Sequence, residues 1–340
     1  MKTILKPSVL LLLIMVIFAC SKNNDAEIID KVESETAVYA VGYESDGDKN
    51  IAKIWKNGSA TALTNGDNDA YALGVYVSGN DVYVGGFESN GTNNVATIWK
   101  NGVKTELSNG ETNAQIFALQ VSSNNVYAVG RESDGTKNIA TLWKNGVKTL
   151  LSDGPYKSIA NSIHISGSNV YVAGVVHNGT NYMATVWKNG AATPLTDGTN
   201  IASASAISVL GNDVYVGGYE FQGKIKVATL WKNGEKIKLS DGSSQANVSS
   251  ICVSGNNLHV VVNDGFVVKL WKNGVFTPIT DGKSFVSAQS LFISDNDTYL
   301  TGYERLGKKD VAMLWVNGVR SPLTDGNYKA HANNVFVTKK

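Results

Sequence analysis

From Ala37 to the C-terminus, short apolar runs with alternating hydrophobic and polar positions follow one another, separated by clusters of Gly, Asn, Asp and Ser. In one stretch, residues 117–121, 126–131, 139–143 and 147–151 are such runs. Runs of this length, with this punctuation, predict strands rather than helices. The unit then repeats. Trp-Lys-Asn-Gly begins at Trp55, Trp99, Trp143, Trp187, Trp231 and Trp271 and returns as Trp-Val-Asn-Gly at Trp315, with spacings of 44, 44, 44, 44, 40 and 44 residues. Asn-Gly between two β-rich runs is a strong hairpin signal, because a two-residue type I′ turn needs positive φ at both central positions.

Four strands per period of about 44 residues is the content of one propeller blade. The sequence therefore predicts an all-β, seven-bladed β-propeller with four strands per blade, occupying residues 37–340. The one short repeat sets the connectivity. Its deletion leaves only Asn263-Asp264-Gly265 between the second and third strands, enough to close a hairpin but not to pass between blades. The link after each Asp-Gly or Asn-Gly, as at 65–66 and 153–154, must then lead inward, making the next strand the innermost. Small residues such as Ala202-Ser203-Ala204-Ser205-Ala206 suit a crowded axis. Residues 37–41 read as a second strand and residues 333–338 as a first strand, so the two ends are expected to share one blade, closing the ring and removing two open sheet edges.

Charge narrows the partners. With 30 Lys+Arg against 29 Asp+Glu, the chain lacks the electrostatic footprint of a nucleic-acid binder. The N-terminus adds an address. Lys2 and Lys6 precede an apolar run at 9–18, then Ala19 and Cys20, the order of an export signal. Ile17-Phe18-Ala19-Cys20 resembles the bacterial lipoprotein signal box, which implies a signal peptide at 1–19, acylation of Cys20 by chains such as palmitate, and a membrane partner through that anchor. Polar residues 20–36 read as the lipidated Cys and a flexible tether, and the expected location is the bacterial cell envelope, at the outer membrane. With Cys20 acylated, Cys252 has no partner for an intramolecular disulfide.

Val-Tyr-Val-Gly-Gly, at 82–86 and 214–218, resembles the strand-ending double glycine of kelch propellers. The whole repeat also resembles the extracellular HAF-type repeat of bacteria. Both resemblances imply a propeller outside the cytoplasm and carry over no catalytic residue. The seven tryptophans could stack sugars or pack blades together; one per blade ahead of a turn favours packing. Glu44, Glu88, Glu132, Glu220 and Glu304 recur two residues after a strand-ending glycine and read as ion-pairing or loop-bonding groups. Asn65, Asp67 and Asp69 have the alternate-oxygen spacing of a calcium loop, but Ala70 stands where such a loop needs glycine. The four histidines show no ligand spacing, His331 stands alone among small residues, and no nucleophile elbow, phosphate loop or nucleotide fingerprint occurs. Neither a catalytic set, a metal nor a cofactor is expected.

Residues that keep the period build the scaffold, so specificity is expected where the period breaks. The loops between second and third strands and the inward links are expected on one face. There Val176 replaces the recurring Glu, beside His177 and Tyr182. Phe221, Lys224 and the shortened loop at Asn263 follow, with Tyr156, Phe285 and Tyr328 in the links. The expected binding patch is thus Tyr156, Val176, His177, Tyr182, Phe221, Lys224, Asn263 and Phe285. An aromatic, amide-rich rim suits a protein or polysaccharide ligand, and the expected role is non-enzymatic binding or scaffolding. An envelope glycan lyase or hydrolase with its site at the channel mouth is the alternative in another class, and a structural assembly subunit is a third.

Overall fold

The computed structural model describes residues 36–339. The signal peptide, Cys20 and the tether as far as Glu35 lie outside the described residues. All regular structure among those described is β: 28 strands in seven four-stranded antiparallel sheets. The strands contacting one another around the axis are Ala70–Ser78, Ala114–Ser122, Ser158–Ser166, Ala202–Leu210, Ala246–Ser254, Val286–Ser294 and Ala330–Lys339, each touching the next and the last touching the first. We number the blades from the one containing Thr36. In blade 1 the C-terminal strand Ala330–Lys339 is innermost and pairs with Thr36–Ser45, from Thr36 opposite Lys339 to Glu44 opposite Ala330. The closure and the hairpin order expected from the sequence are both present. In blade 6, Asn257–Asp264 and Val267–Lys272 form the hairpin that the short repeat demanded.

Each residue of the recurring tetrapeptide has its own task. The tryptophans sit between blades: six of the seven are at most 3% exposed, and Trp271 is partly buried. Trp187, for example, packs against Val129, Ala140 and Leu151 of blade 3 as well as Ala160 and Val172 of its own blade. Sugar stacking on these rings is thereby excluded for the buried six. The lysine lies over a second-strand tyrosine in five blades, as Lys100 over Tyr83 at 5.2 Å. Each turn asparagine has φ between 46° and 52°, and its Oδ1 accepts the backbone N–H at the start of the second strand, as from Val82 at 2.8 Å and Val214 at 2.9 Å. The asparagine therefore ties the third-to-fourth turn to the second strand, which a turn role alone would not require.

The innermost strands carry a β-bulge in every blade, at Leu73, Phe117, Asn161, Ser205, Ser249, Gln289 and Asn333. Opposite the bulge, six blades have glycine. A Cβ on Gly218 would lie 1.8 Å from the Ser203 carbonyl oxygen, and one on Gly86 1.9 Å from that of Tyr71. The strand-ending glycine is thus set by close backbone approach. In blade 6 Val262 stands there fully buried, and nothing in the structure explains how.

Two outcomes follow. Gly218→Ala should lower stability by about 1–3 kcal/mol, the usual range for overpacking a filled interior, read as a shift in denaturant midpoint. Deleting residues 333–340 should abolish the cooperative melt of the whole ring; a melt unchanged in midpoint and width would count against closure by this strand.

Candidate functional site

Turns occupy one face and longer loops the other. On the loop face, the second-to-third-strand hairpins are bound to the inward links by side-chain amides and hydroxyls. Asn93 Nδ2 donates to Gly110 O at 3.2 Å, Asn181 Nδ2 to Gly198 O at 3.0 Å, Gln245 Nε2 to Lys224 O at 3.0 Å and Thr112 Oγ1 to Ser133 O at 2.7 Å. The recurring glutamates are mostly buried and ion-paired. Glu88 meets Lys104 at 3.0 Å, Glu132 Lys148 at 2.8 Å, Glu220 Lys236 at 2.8 Å and Glu304 Arg320 at 2.8 Å. Blade 1 has Ala60 in place of that cation, and Glu44 takes Lys53 instead. Blade 6, with Phe276 there, pairs Asp264 with Lys269 at 2.7 Å. Blade 4 lacks both partners, having Val176 and Ala192. These carboxylates are structural counter-ions.

The structure distributes the sequence-expected patch over two grooves on this face. Tyr156, His177 and Tyr182 line a cavity of about 380 Å³ with Thr136, Lys137, Pro155 and Lys157. Its rings meet edge to face, Tyr156 to His177 at 5.8 Å and His177 to Tyr182 at 4.9 Å. Phe221, Asn263 and Phe285 line a second cavity, of about 580 Å³, with Lys226, Gln245 and Phe266. Val176 belongs to neither: it packs partly buried against the core of blades 3 and 4. Lys224 is exposed outside the cavity lining, and its carbonyl accepts from Gln245. Asn263 is half engaged, since its amide exchanges two hydrogen bonds with the Ala288 backbone at 2.9 Å. The three calcium-loop oxygens do not converge. Asn65 Nδ2 donates to Asp67 at 2.5 Å, while Asp69 Oδ1 accepts from Asn50 N and Nδ2, both at 2.9 Å.

His331 is not alone, and this corrects the sequence expectation. Its Nε2 lies 3.1 Å from Asp310 Oδ2, and Arg305 Nε donates to Asp310 Oδ1 at 2.8 Å, joining blades 7 and 1. Tyr303 stacks on the imidazole at 3.8 Å and 4°, and Tyr43 tilts against it at 4.9 Å. Burial is the largest influence on Asp310 and would raise its carboxyl, but the hydrogen bonds from Arg305 and His331 together hold it below the ordinary carboxylate range. Burial lowers His331 below the ordinary imidazole range, only partly opposed by the Asp310 hydrogen bond. At neutral pH the imidazole is uncharged and its Nε2–H donates to the carboxylate. No motif signalled this pair, because Asp310 and His331 come from different blades and each breaks its own column of the repeat. The rings continue from Phe285 near Tyr303 at 6.1 Å, through His331 and Tyr43, to Tyr71 at 4.7 Å and Phe87 at 4.8 Å.

The axial channel encloses about 560 Å³. Its amides tie blade to blade: Asn161 Nδ2 donates to Ala204 O and Asn333 Nδ2 to Ala72 O, each at 2.9 Å. Toward the turn face, one equivalent position per blade forms a ring of Tyr76, Gln120, His164, Ser208, Cys252, Phe292 and Phe336. Phe336 contacts Tyr76 at 4.7 Å and Phe292 at 4.8 Å. Burial pushes the Cys252 thiol up and the His164 imidazole down, so both favour their neutral forms.

No protein-family model matches the sequence, and no curated protein matches it. Among solved structures, the chain is similar to an acylaminoacyl peptidase of Pyrococcus horikoshii, with a TM-score of 0.52 and 14% identity. The match covers 86% of this chain and 51% of the peptidase, so the chain spans about half the length of that protein. At this identity the likeness is one of fold.

The histidines supply a pH prediction. His331, His164 and His259 all resist protonation in the folded state, whereas the unfolded chain takes up protons below about pH 6.5, so stability is lost as pH falls through that value. The melting temperature should drop between pH 7 and pH 5, and His331→Gln should drop less. Equal drops in calorimetry would remove His331 from the account.

Proposed function

We propose that this protein is a non-enzymatic binding module of the bacterial envelope, anchored by acylated Cys20, that holds a glycan or protein partner on its loop face. The supporting observation is the grooves between blades on that face, where exposed rings stand beside cations and amides: Tyr156 with Lys137, and Phe266 with Lys226. Aromatic side chains offer rigid contact area at small entropic cost, and an elongated ligand can engage several grooves together. At the axis, by contrast, several amides are already bound between blades.

A second reading, hydrolysis or elimination on an envelope glycan, draws on the Asp310–His331 pair, whose two groups have shifted protonation. Degradation assays on polysaccharides separate the two. New reducing ends that vanish in His331→Gln would favour the enzyme.

For the binding module, Tyr156→Ala, Tyr182→Ala, Phe221→Ala and Phe285→Ala combined should leave the melt within a few degrees of wild type. Retention of the selected glycan or envelope protein should fall at least tenfold, scored by glycan array and by pull-down from envelope extract. Unaltered retention would remove the loop face as the binding surface.

A further inference from the structure

Two of the seven inward links carry the same dipeptide, Tyr156-Lys157 and Tyr328-Lys329, four repeats apart at the same position of the unit. The other five links have Asn-Asp, Thr-Asn, Asn-Ile, Ser-Gln and Ser-Phe there. Folding therefore does not demand Tyr-Lys at that place. The structure builds both copies alike. The carbonyl of Lys157 accepts His177 N and that of Lys329 accepts Ser45 N, each at 2.8 Å. Each tyrosine rests against a hairpin glycine of the next blade: a Cβ on Gly179 would come within 2.8 Å of Tyr156 Oη, and one on Gly47 within 3.1 Å of Tyr328. The two rings remain 46% and 45% exposed.

A second lysine comes to each groove from the preceding blade. Lys309 Nζ lies 5.4 Å from the centre of Tyr328 and donates to the Asn327 carbonyl, and its repeat equivalent Lys137 lines the Tyr156 groove. The groove between blades 7 and 1, of about 520 Å³, also gathers Arg305 and Lys308. Its one lining carboxylate, Asp310, is engaged by Arg305 and His331. None of the residues lining the Tyr156 groove is acidic, and only Asp134 beside it pairs with Lys137, at 3.0 Å. Lys157, Lys308 and Lys329 make no ion pair among the described residues. In a chain with almost balanced charge, local positive clusters beside exposed rings focus attraction on a ligand that is both anionic and flat-faced.

We infer that the two Tyr-Lys grooves are equivalent subsites for an acidic polysaccharide, each stacking one sugar on its tyrosine while the paired lysines hold that sugar's anionic group. This deepens the binding-module reading and rests on it. Both cavities fall in the size range of small-molecule sites. A polymer long enough to reach both would gain avidity from simultaneous engagement, which a short oligomer cannot. The anionic group could be carboxylate or sulfate, and both are met by the same lysines.

The test uses the full chain in detergent, titrated with polygalacturonate, heparin oligosaccharides, uncharged dextran and poly-L-glutamate at low and high salt. At least one acidic polysaccharide should bind tenfold or more tightly than dextran and weaken as salt rises; the preferred one identifies carboxylate or sulfate. Lys157→Ala with Lys329→Ala should reduce that binding at least tenfold, with Lys157→Arg and Lys329→Arg together restoring much of it. Poly-L-glutamate binding as tightly as the polysaccharides would overturn the proposal in favour of an acidic peptide. Binding unchanged by the lysine substitutions, but lost with Tyr182→Ala and Phe221→Ala, would sink the anion subsites and leave the loop-face reading standing. Failure of every polysaccharide to bind would overturn the proposal, and retention of an envelope protein would then show whether the broader reading survives. Unchanged melting of each variant separates these results from misfolding.

Discussion

The ring depends on how a sheet that twists can be packed face to face against another of its kind. Small alanines from the innermost and third strands give most of the tryptophans a slot between blades, as Ala70, Ala72 and Ala52 do around Trp99, whereas Val268 and Val286 join Ala288 around Trp315. A large ring filling a slot of methyl groups buries the most apolar area per residue available. The indole nitrogens of Trp55, Trp99, Trp143, Trp187 and Trp231 make no hydrogen bond among the described residues, so these positions give up polar satisfaction for packing. The bulge and its facing glycine complement the slot, since they let the inner strand turn toward the axis without lifting off its neighbour.

Much of this was legible because the period samples the same environment seven times. A residue that recurs in every copy must answer to the scaffold, and Trp and Asn each do, as does the strand-ending Gly in the six blades that have it. The short repeat was the most informative stretch, since a loop of three residues leaves one connectivity. What the repeat could not reveal is how columns from adjacent blades face one another. Asp310 and His331 are 21 positions apart and look unrelated along the chain, yet they meet across the seam. The exchange of Lys104-type cations for Lys53 and Lys269 is of the same sort: it is plain once strands are laid side by side and obscure beforehand.

The expected patch rests on departures in loop composition, a signal that separates surface from scaffold only coarsely. Val176 departs from the glutamate column in a blade that also lacks the matching cation, and it packs against the core of blades 3 and 4. Tyr156 departs and is exposed, with His177 half-buried against it, which leaves a ring available to a contact surface. Reading substitutions in pairs across strands, rather than singly along the chain, distinguishes the two kinds.

The register of blade 1 has a geometric corollary. Thr36 lies opposite Lys339, and Val38 donates to the turn asparagine Asn57, so the chain joins the ring beside the tight turns. Ser45, at the other end of the same strand, opens the hairpin that borders the loop face, so Thr36 and the grooves stand at opposite ends of a blade, one strand length apart.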